Sequence, residues 1–325
     1  MEDGEFETAL NSNVKRKTIY NSKYDTLSFF EKKKILFNLF FRKRYLYKKY
    51  VDDNYDVEIA FLEGPITRLF SVKNNNTRKL AWVHNDITRV FGNGIKAKIK
   101  IILEEHSYKT YEKLIFVSND NLNSFERKIK ISKPKQVIYN YIDSENIINK
   151  SNEKVDIEFD PNKINIVSVS RLVEQKGIDR WIRVHSKIVK EGINQRVYII
   201  GSGPQKEYLE ELIKEEKVED SFILLGKMLN PYPIIKMADY FALFSYYEGY
   251  GMVLEEAKIL NKAILITDTA AREAVNNYEM ANIFPNTEDG LYEKLKTVTN
   301  KPEMKNNIEY KNEQNIEQII ELLEE

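Results

Sequence analysis

From about residue 163 onward, short and nearly continuous apolar runs alternate with amphipathic stretches. The runs are INIVSVS (164–170), RVYIIG (196–201), SFILLG (221–226), YFALFS (240–245) and AILITD (263–268). Residues apolar on both faces of an extended run suit strands covered on both sides of a parallel sheet. Between them lie the helical patterns GIDRWIRVHSKIVKEG, QKEYLEELIKEEK, PYPIIKMA and GMVLEEAKILN. Strand, helix, strand at this spacing predicts right-handed βαβ units and a doubly wound sheet. The first half carries the same rhythm less cleanly, with strands expected at VKRKTIY (14–20), VEIAFL (57–62), KLAWVH (79–84), KLIFVS (113–118) and QVIYN (136–140). The expectation is an α/β chain of two Rossmann-like domains, 1–145 and 146–325, with a terminal helix at about 306–325. The polar stretch 141–162 lacks a helical period and reads as the linker between them.

Composition narrows the classes. A length of 325 residues suits two domains, and 42% apolar content is enough for real cores. There is no cysteine, so disulfide scaffolds, zinc ribbons and thiol nucleophiles fall away, and a reducing, cytoplasmic setting is expected. Three histidines make a His-rich metal centre improbable. No apolar run approaches the roughly 20 residues that span a bilayer. The net charge of zero divides into +9 over residues 1–150 and −9 over 151–325. An acidic second half argues against a protein that wraps nucleic acid along its length. In the basic half, FFEKKKILFNLFFRKRYLYKKY (29–50) places Leu36, Phe40, Tyr47 and Tyr50 on one helical stripe among eight Lys/Arg. Such a helix suits either a domain core or the plane of an anionic membrane.

The strongest chemical pattern is SYYEGYGMVLEEA (245–257). A buried strand ends at Ser245, a turn carries Gly249 and Gly251, and a helix starts near Met252. Open α/β sheets bind ligands at this end of their strands. Glycines let a backbone approach an anion, and the new helix points free N–H groups at it. Glu248 and Glu256 can flank one ligand, and a carboxylate suits the two neighbouring hydroxyls of a ribose. Glu255 reads as a solvated helix-face residue. Arg171 and Lys176, in SVSRLVEQKGIDRWI (168–182), could hold a diphosphate as a planar fork and a point charge. IIGSGPQ (199–205) adds a tight turn at Gly201 and Gly203. The run DDNYD (52–56) precedes a strand, so it reads as a solvated loop and not as a metal motif.

Taken in order, SRLVEQKGID, IIGSGP, LGKMLNPY, EGYGMVLEEA and ILITDT resemble the C-terminal domain of a GT-B glycosyltransferase of family 4. VEIAFLEGP, KLAWVHND and QVIYNYID are similar to N-terminal segments of bacterial members that build surface glycans such as capsule and lipopolysaccharide. The resemblance implies the GT-B fold, two Rossmann-like domains facing a cleft, and transfer of a sugar with retention to a glycan or lipid-linked acceptor. The implied donor is a nucleotide-diphosphate sugar, a UDP-sugar first, with no cofactor and no metal. It assigns Arg171 and Lys176 to the donor diphosphate, Glu256 to the ribose and Glu248 to the donor sugar. Gly249, Tyr250 and Gly251 would face sugar hydroxyls, Val253 and Leu254 the phosphates, and Gly226 to Met228 the base. His84, with Asn85 and Asp86 after it, matches an N-domain histidine that reaches the donor sugar. A peripheral place at the inner face of the cell membrane, through 29–50, would fit a lipid-linked acceptor.

The first residues depart from the family. Members open on a strand and a glycine-rich loop, whereas EDGEFETALNSNVKRKTIY resembles the stretch after their second strand. A missing first βαβ unit is therefore expected, which would leave donor binding intact and slow turnover. Two rival functions are a donor-binding remnant without turnover and a nucleotide-sugar epimerase of the same fold.

Overall fold

A computed structural model describes residues 11–19, 27–51, 55–85, 94–303 and 313–325. They divide into two compact units: residues up to Val117 with Leu122–Val137, and Ser118–Asn121 with Ile138 onward.

The first unit holds a parallel four-stranded sheet in the order β1 (Val57–Ala60), β2 (Arg78–Val83), β3 (Lys113–Phe116), β4 (Lys135–Val137). Its helices are α1 (Phe29–Phe41), α2 (Lys43–Tyr50), α3 (Pro65–Phe70), α4 (Ile95–Tyr108) and α5 (Asn119–Lys128), whose first residues belong to the second unit. Ala81, Val83, Leu114, Phe116, Tyr108 and Phe125 form one core cluster, and Leu39, Leu46, Tyr47 and Leu69 form another. Between α2 and the sheet sits a buried ion pair. Lys79 Nζ lies 2.8 Å from Glu58 and 3.0 Å from the Phe70 carbonyl, and the Tyr47 hydroxyl donates to the same Glu58.

Three expectations fail here. No strand forms over 14–19, because this charged stretch lies exposed or half-buried with no sheet beside it, and residue 20 lies outside the described residues. The segment 29–50 is two helices, broken at Arg42, whose ψ of 22° ends α1. Its buried stripe is Leu39, Leu46 and Tyr47, while Leu36 and Phe40 are exposed. The polar stretch 141–162 contains the helix α6 (Ser144–Lys150), started by the Asp143 side chain accepting from Asn146 N–H at 2.9 Å and anchored by buried Ile147. Seven residues are too few for a period to show against polar neighbours.

The second unit holds a parallel six-stranded sheet in the order β10 (Ala281–Phe284), β9 (Ala263–Thr267), β8 (Tyr240–Leu243), β5 (Ile164–Val169), β6 (Gln195–Ile200), β7 (Phe222–Gly226). Its helices α7 (Ile178–Lys190), α8 (Lys206–Glu215), α9 (Tyr232–Met237), α10 (Met252–Ile259), α11 (Glu288–Leu295) and α12 (Glu313–Glu324) come in chain order. The five expected apolar runs all form strands, and β10, with Asn282 and Ile283 exposed, lacks the apolar run that would announce it. The strand order reverses between β5 and β8, so the loops leaving those two strands part and leave a crevice. No described helix is long and apolar enough to cross a membrane.

Lys79→Met should expose the cost of the buried pair. It strands Glu58 in the core, so a loss of about 3–5 kcal/mol is expected, read as a drop in the denaturation midpoint. Adding Glu58→Leu should restore most of it.

Candidate functional site

The loops leaving β5, β6 and β7 are joined backbone to backbone. Ser170 N–H donates to Ile200 O at 3.0 Å, Leu172 N–H to Ser202 O at 3.0 Å, and Gly201 N–H to Gly226 O at 2.8 Å. Gly201 has φ 153°, and a Cβ there would lie 1.9 Å from the Ser170 carbonyl oxygen. A Cβ on Gly203 would lie 2.3 Å from the Leu172 carbonyl oxygen. Only glycine permits this approach.

Against these loops lies a cavity of about 360 Å³ lined by Val169, Ser170, Arg171, Lys176, Ile200, Gly201, Ser202, Lys227, Met228 and Val253. Five sequence candidates therefore meet at one place: Arg171, Lys176, Gly201, Met228 and Val253. Lys227, expected with Gly226 and Met228 only beside the base, lines the same cavity. It joins Arg171 and Lys176 to give the lining three cations and no carboxylate.

Glu248 stands just behind. Its carboxylate is ion-paired with Lys176 Nζ, and Ser245 Oγ donates to it at 2.6 Å. The turn that carries it is held by its neighbours. Tyr246 N–H donates to Gln175 O at 2.9 Å, Gln175 Nε2 donates to Tyr247 O at 3.0 Å, and Asn286 Nδ2 donates to Tyr246 O at 2.9 Å. The buried Arg180 guanidinium donates to Phe244 O at 2.8 Å and lies 4.4 Å from the Tyr246 ring centroid. The sequence alone assigns no role to Gln175, Arg180 or Asn286, and only the fold brings them together.

The remaining candidates on this turn do not line the cavity. Gly249 is half-buried, and Gly251, at φ 76°, leads into α10. Leu254 is fully buried and its N–H already donates to Gly251 O at 2.9 Å, leaving Val253 as the first-turn residue that faces the cavity. Tyr250 is buried, with its hydroxyl donating to Glu255 at 2.6 Å. Glu255 itself is only 3% exposed and lies 2.7 Å from Lys258, which corrects its reading as a solvated residue. The helix turns it inward, where Tyr250 and Lys258 satisfy it. Glu256 differs from both neighbours. It is half-buried, and desolvation alone pushes its carboxyl up to about 7.

In the first unit, His84 leaves the end of β2 with its ring centroid 4.5 Å from that of Phe61. Its Nε2 is buried without a hydrogen-bond partner, and burial lowers its pKa while Glu63 opposes that shift. Among the described residues no cluster of His, Asp or Glu could hold a metal ion.

The cavity and the turn beside it lie inside the stretch 149–315, which matches the family model described as glycosyl transferases group 1. The chain belongs to this family. Among curated relatives, this group 1 chain is 28% identical to an uncharacterised glycosyltransferase of Methanocaldococcus jannaschii, over 64% of this chain and 52% of that one. It is 29% identical to the N-acetylgalactosamine-N,N'-diacetylbacillosaminyl-diphospho-undecaprenol 4-alpha-N-acetylgalactosaminyltransferase of Campylobacter jejuni, over 75% of this chain and 67% of that one. The chain thus spans about half to two thirds of the length of these two relatives. Solved structures share the fold. A Staphylococcus aureus TarM mutant, in complex with fondaparinux, α-GlcNAc-glycerol and UDP, superposes with a TM-score of 0.63 at 17% identity, covering 89% of this chain and 59% of that one. Anabaena HepE, in complex with UDP and glucose, gives 0.62 at 16%, covering 75% and 68%. The α/β fold with two parallel sheets is that of the GT-B glycosyltransferases.

Glu256→Gln tests the desolvated carboxyl. Its folded pKa of about 7 lies above the unfolded value of 4.5. The folded chain therefore keeps a proton that the unfolded chain releases, and stability falls as pH rises from about 4.5 to 7. The linked cost above that window is about 3 kcal/mol. The glutamine variant should match the native chain at pH 4.5 and exceed it in melting temperature at pH 8.

Proposed function

We propose that this chain is a retaining glycosyltransferase that moves a sugar from a nucleotide-diphosphate donor, a UDP-sugar first, to a glycan or lipid-linked acceptor of bacterial surface polysaccharide synthesis. The observation that carries the reading is the cavity at the strand-order reversal, where Arg171, Lys176 and Lys227 converge with no carboxylate in the lining. A diphosphate is the ligand such a lining fits, because it brings negative charge to a place already furnished with cations. The same cations would stabilise the diphosphate as it departs, the largest electrostatic demand of the transfer. Glu256, desolvated at about pKa 7, gains partners when ribose hydroxyls donate to it. Glu248 meets Lys176 and Ser245 through one carboxylate oxygen and can offer the second to a sugar hydroxyl. Retention follows the family resemblance, in which the leaving phosphate takes the acceptor proton and no separate base is needed. His84 is the candidate contact to the donor sugar that the family resemblance implies. The names of the Campylobacter jejuni relative and of the Staphylococcus aureus poly(ribitol-phosphate) alpha-N-acetylglucosaminyltransferase support a surface glycan acceptor.

Calorimetry with UDP, GDP, ADP and CDP tests the donor site. One of them should bind, and Glu256→Ala should weaken it by about 1–3 kcal/mol, the range for a hydrogen bond to a charged group. Unchanged affinity would remove the ribose assignment. Product analysis with UDP-N-acetylglucosamine and UDP-N-acetylgalactosamine then separates transfer from isomerisation and from binding without turnover.

The membrane surface belongs to the same proposal. On α1, Phe29, Phe30, Phe37 and Phe41 are exposed beside Lys33 and Lys34, and on α4 so are Ile95, Ile99 and Ile102 beside Lys98 and Lys100. Bulky apolar groups among lysines suit an anionic bilayer. Lys43 is set apart, since its Nζ donates to Ser71 Oγ at 2.8 Å. Replacing Lys33, Lys34, Arg42 and Arg44 with Glu should abolish co-sedimentation with phosphatidylglycerol vesicles at low salt and leave nucleotide affinity unchanged. Failure of the native chain to co-sediment would remove the membrane role.

A further inference from the structure

The turn after β2 is held from outside its own strand. Glu63, on the turn after β1, directs its carboxylate across to the neighbouring strand end. Its Oε1 accepts from the backbone N–H of His84 and, at 2.6 Å, from that of Asn85, while Oε2 accepts from the Asn85 side-chain amide at 3.0 Å. Two successive backbone N–H groups converging on one carboxylate make a charge-assisted clasp. The carboxylate grips the backbone of His84 and leaves the ring free of it. On its other side the ring meets Phe61, which in turn lies 5.2 Å from the Trp82 ring. The imidazole is thus fixed by a clasp at its backbone and an aromatic wall at its face, and its buried Nε2 has no protein partner. Glu63 is fixed in turn. Gly64, at φ 77°, leads directly into α3, and its N–H bonds the buried carboxyl of Glu104 on α4. An acid that merely decorated a turn would need neither the double grip nor the second carboxyl behind it.

We propose that Glu63 is a positioning residue whose carboxylate, by clasping the backbone of His84 and Asn85, presents the His84 imidazole to the ligand in one orientation. The inference rests on the reading of His84 as a donor-sugar contact. It gives a role to a residue of the segment VEIAFLEGP to which the sequence alone assigns none.

The test compares the native chain with Glu63→Ala, Glu63→Gln and Glu63→Asp. With UDP-N-acetylglucosamine and UDP-N-acetylgalactosamine as probes, Glu63→Ala should lower kcat at least tenfold with KM within about twofold. Glu63→Gln keeps an acceptor oxygen and should recover most of the loss. Glu63→Asp, one methylene short of the strand end, should fall between the two. NMR gives a readout independent of turnover, since the chain has only three histidines. The amide resonances of His84 and Asn85 should move strongly in Glu63→Ala and little in Glu63→Gln. The His84 ring should titrate lower in Glu63→Gln, because the nearby negative charge is gone while Arg68 and Glu104 behind it remain. Turnover by Glu63→Ala within twofold of the native chain, with the two amides unmoved, would overturn the proposal. Should Glu63→Ala fail to fold, a His84 titration in Glu63→Gln identical to the native one would overturn it. Should the native chain bind no UDP and turn over neither probe, the functional reading fails, and the amide shifts and ring titration still decide whether Glu63 holds His84.

Discussion

The second unit depends on a contact between backbones and not between side chains. Ser170, Gly201 and Gly226 lie where the chain leaves its strands, yet they continue the hydrogen-bond ladder of β5, β6 and β7 to the rim of the sheet and beyond it. The continuation exists only because positions 201 and 203 carry no Cβ. The rest of the site is placed by it. Arg171 and Lys176 follow β5, Lys227 and Met228 follow β7, and all four line one cavity. Across the strand-order reversal, the turn after β8 is held by hydrogen bonds from Gln175, Arg180 and Asn286.

The carboxylates around this site differ in how they are satisfied. Glu248 has Lys176 and Ser245, and Glu255 has Tyr250 and Lys258. For Glu256 neither a cation nor a donor offsets burial, and its proton affinity rises accordingly. Glu104, in the first unit, is raised to about 7 by the same cause, tempered by Arg68 and the Gly64 N–H. Three glutamates on one turn and the helix after it thus have three fates. The backbone decides which face each occupies, and the neighbours decide what that face costs.

How much of this is legible in the sequence depends on whether the signal is local. The buried strands of the second unit are plain, because a strand covered on both faces must be apolar throughout. Arg171, Lys176, Gly201 and Val253 stand out because each sits a fixed few residues past such a strand. Lys227 sits equally close to β7, in a segment read as facing the base, and nothing local marks it as a third cation beside Arg171 and Lys176. Glu255 defies its sequence context, since its burial comes with Tyr250 and Lys258, neither of which signals a partner in advance. The stripe through Leu36 and Phe40 assumes one continuous helix. The break at Arg42 resets the phase, so that the α2 residues facing the core cannot be extrapolated from α1. The stretch 14–19 has the right residue types but joins no strand among the described residues, and β-propensity outside a sheet carries little weight.

The break at Arg42 also divides the two helices in durability. Of the thirteen residues of α1, only Leu39 is buried, whereas α2 carries Tyr47 into the buried pair of Glu58 and Lys79. A helix held mainly by Leu39, with half-buried Ile35 beside it, opens at lower free-energy cost than one fastened to a buried ion pair. In amide exchange, α1 should therefore lose its protons as a separate, fast unit while α2 exchanges with the sheet. The aromatic face of α1 can accordingly loosen while α2 keeps its hold on Glu58 and Lys79.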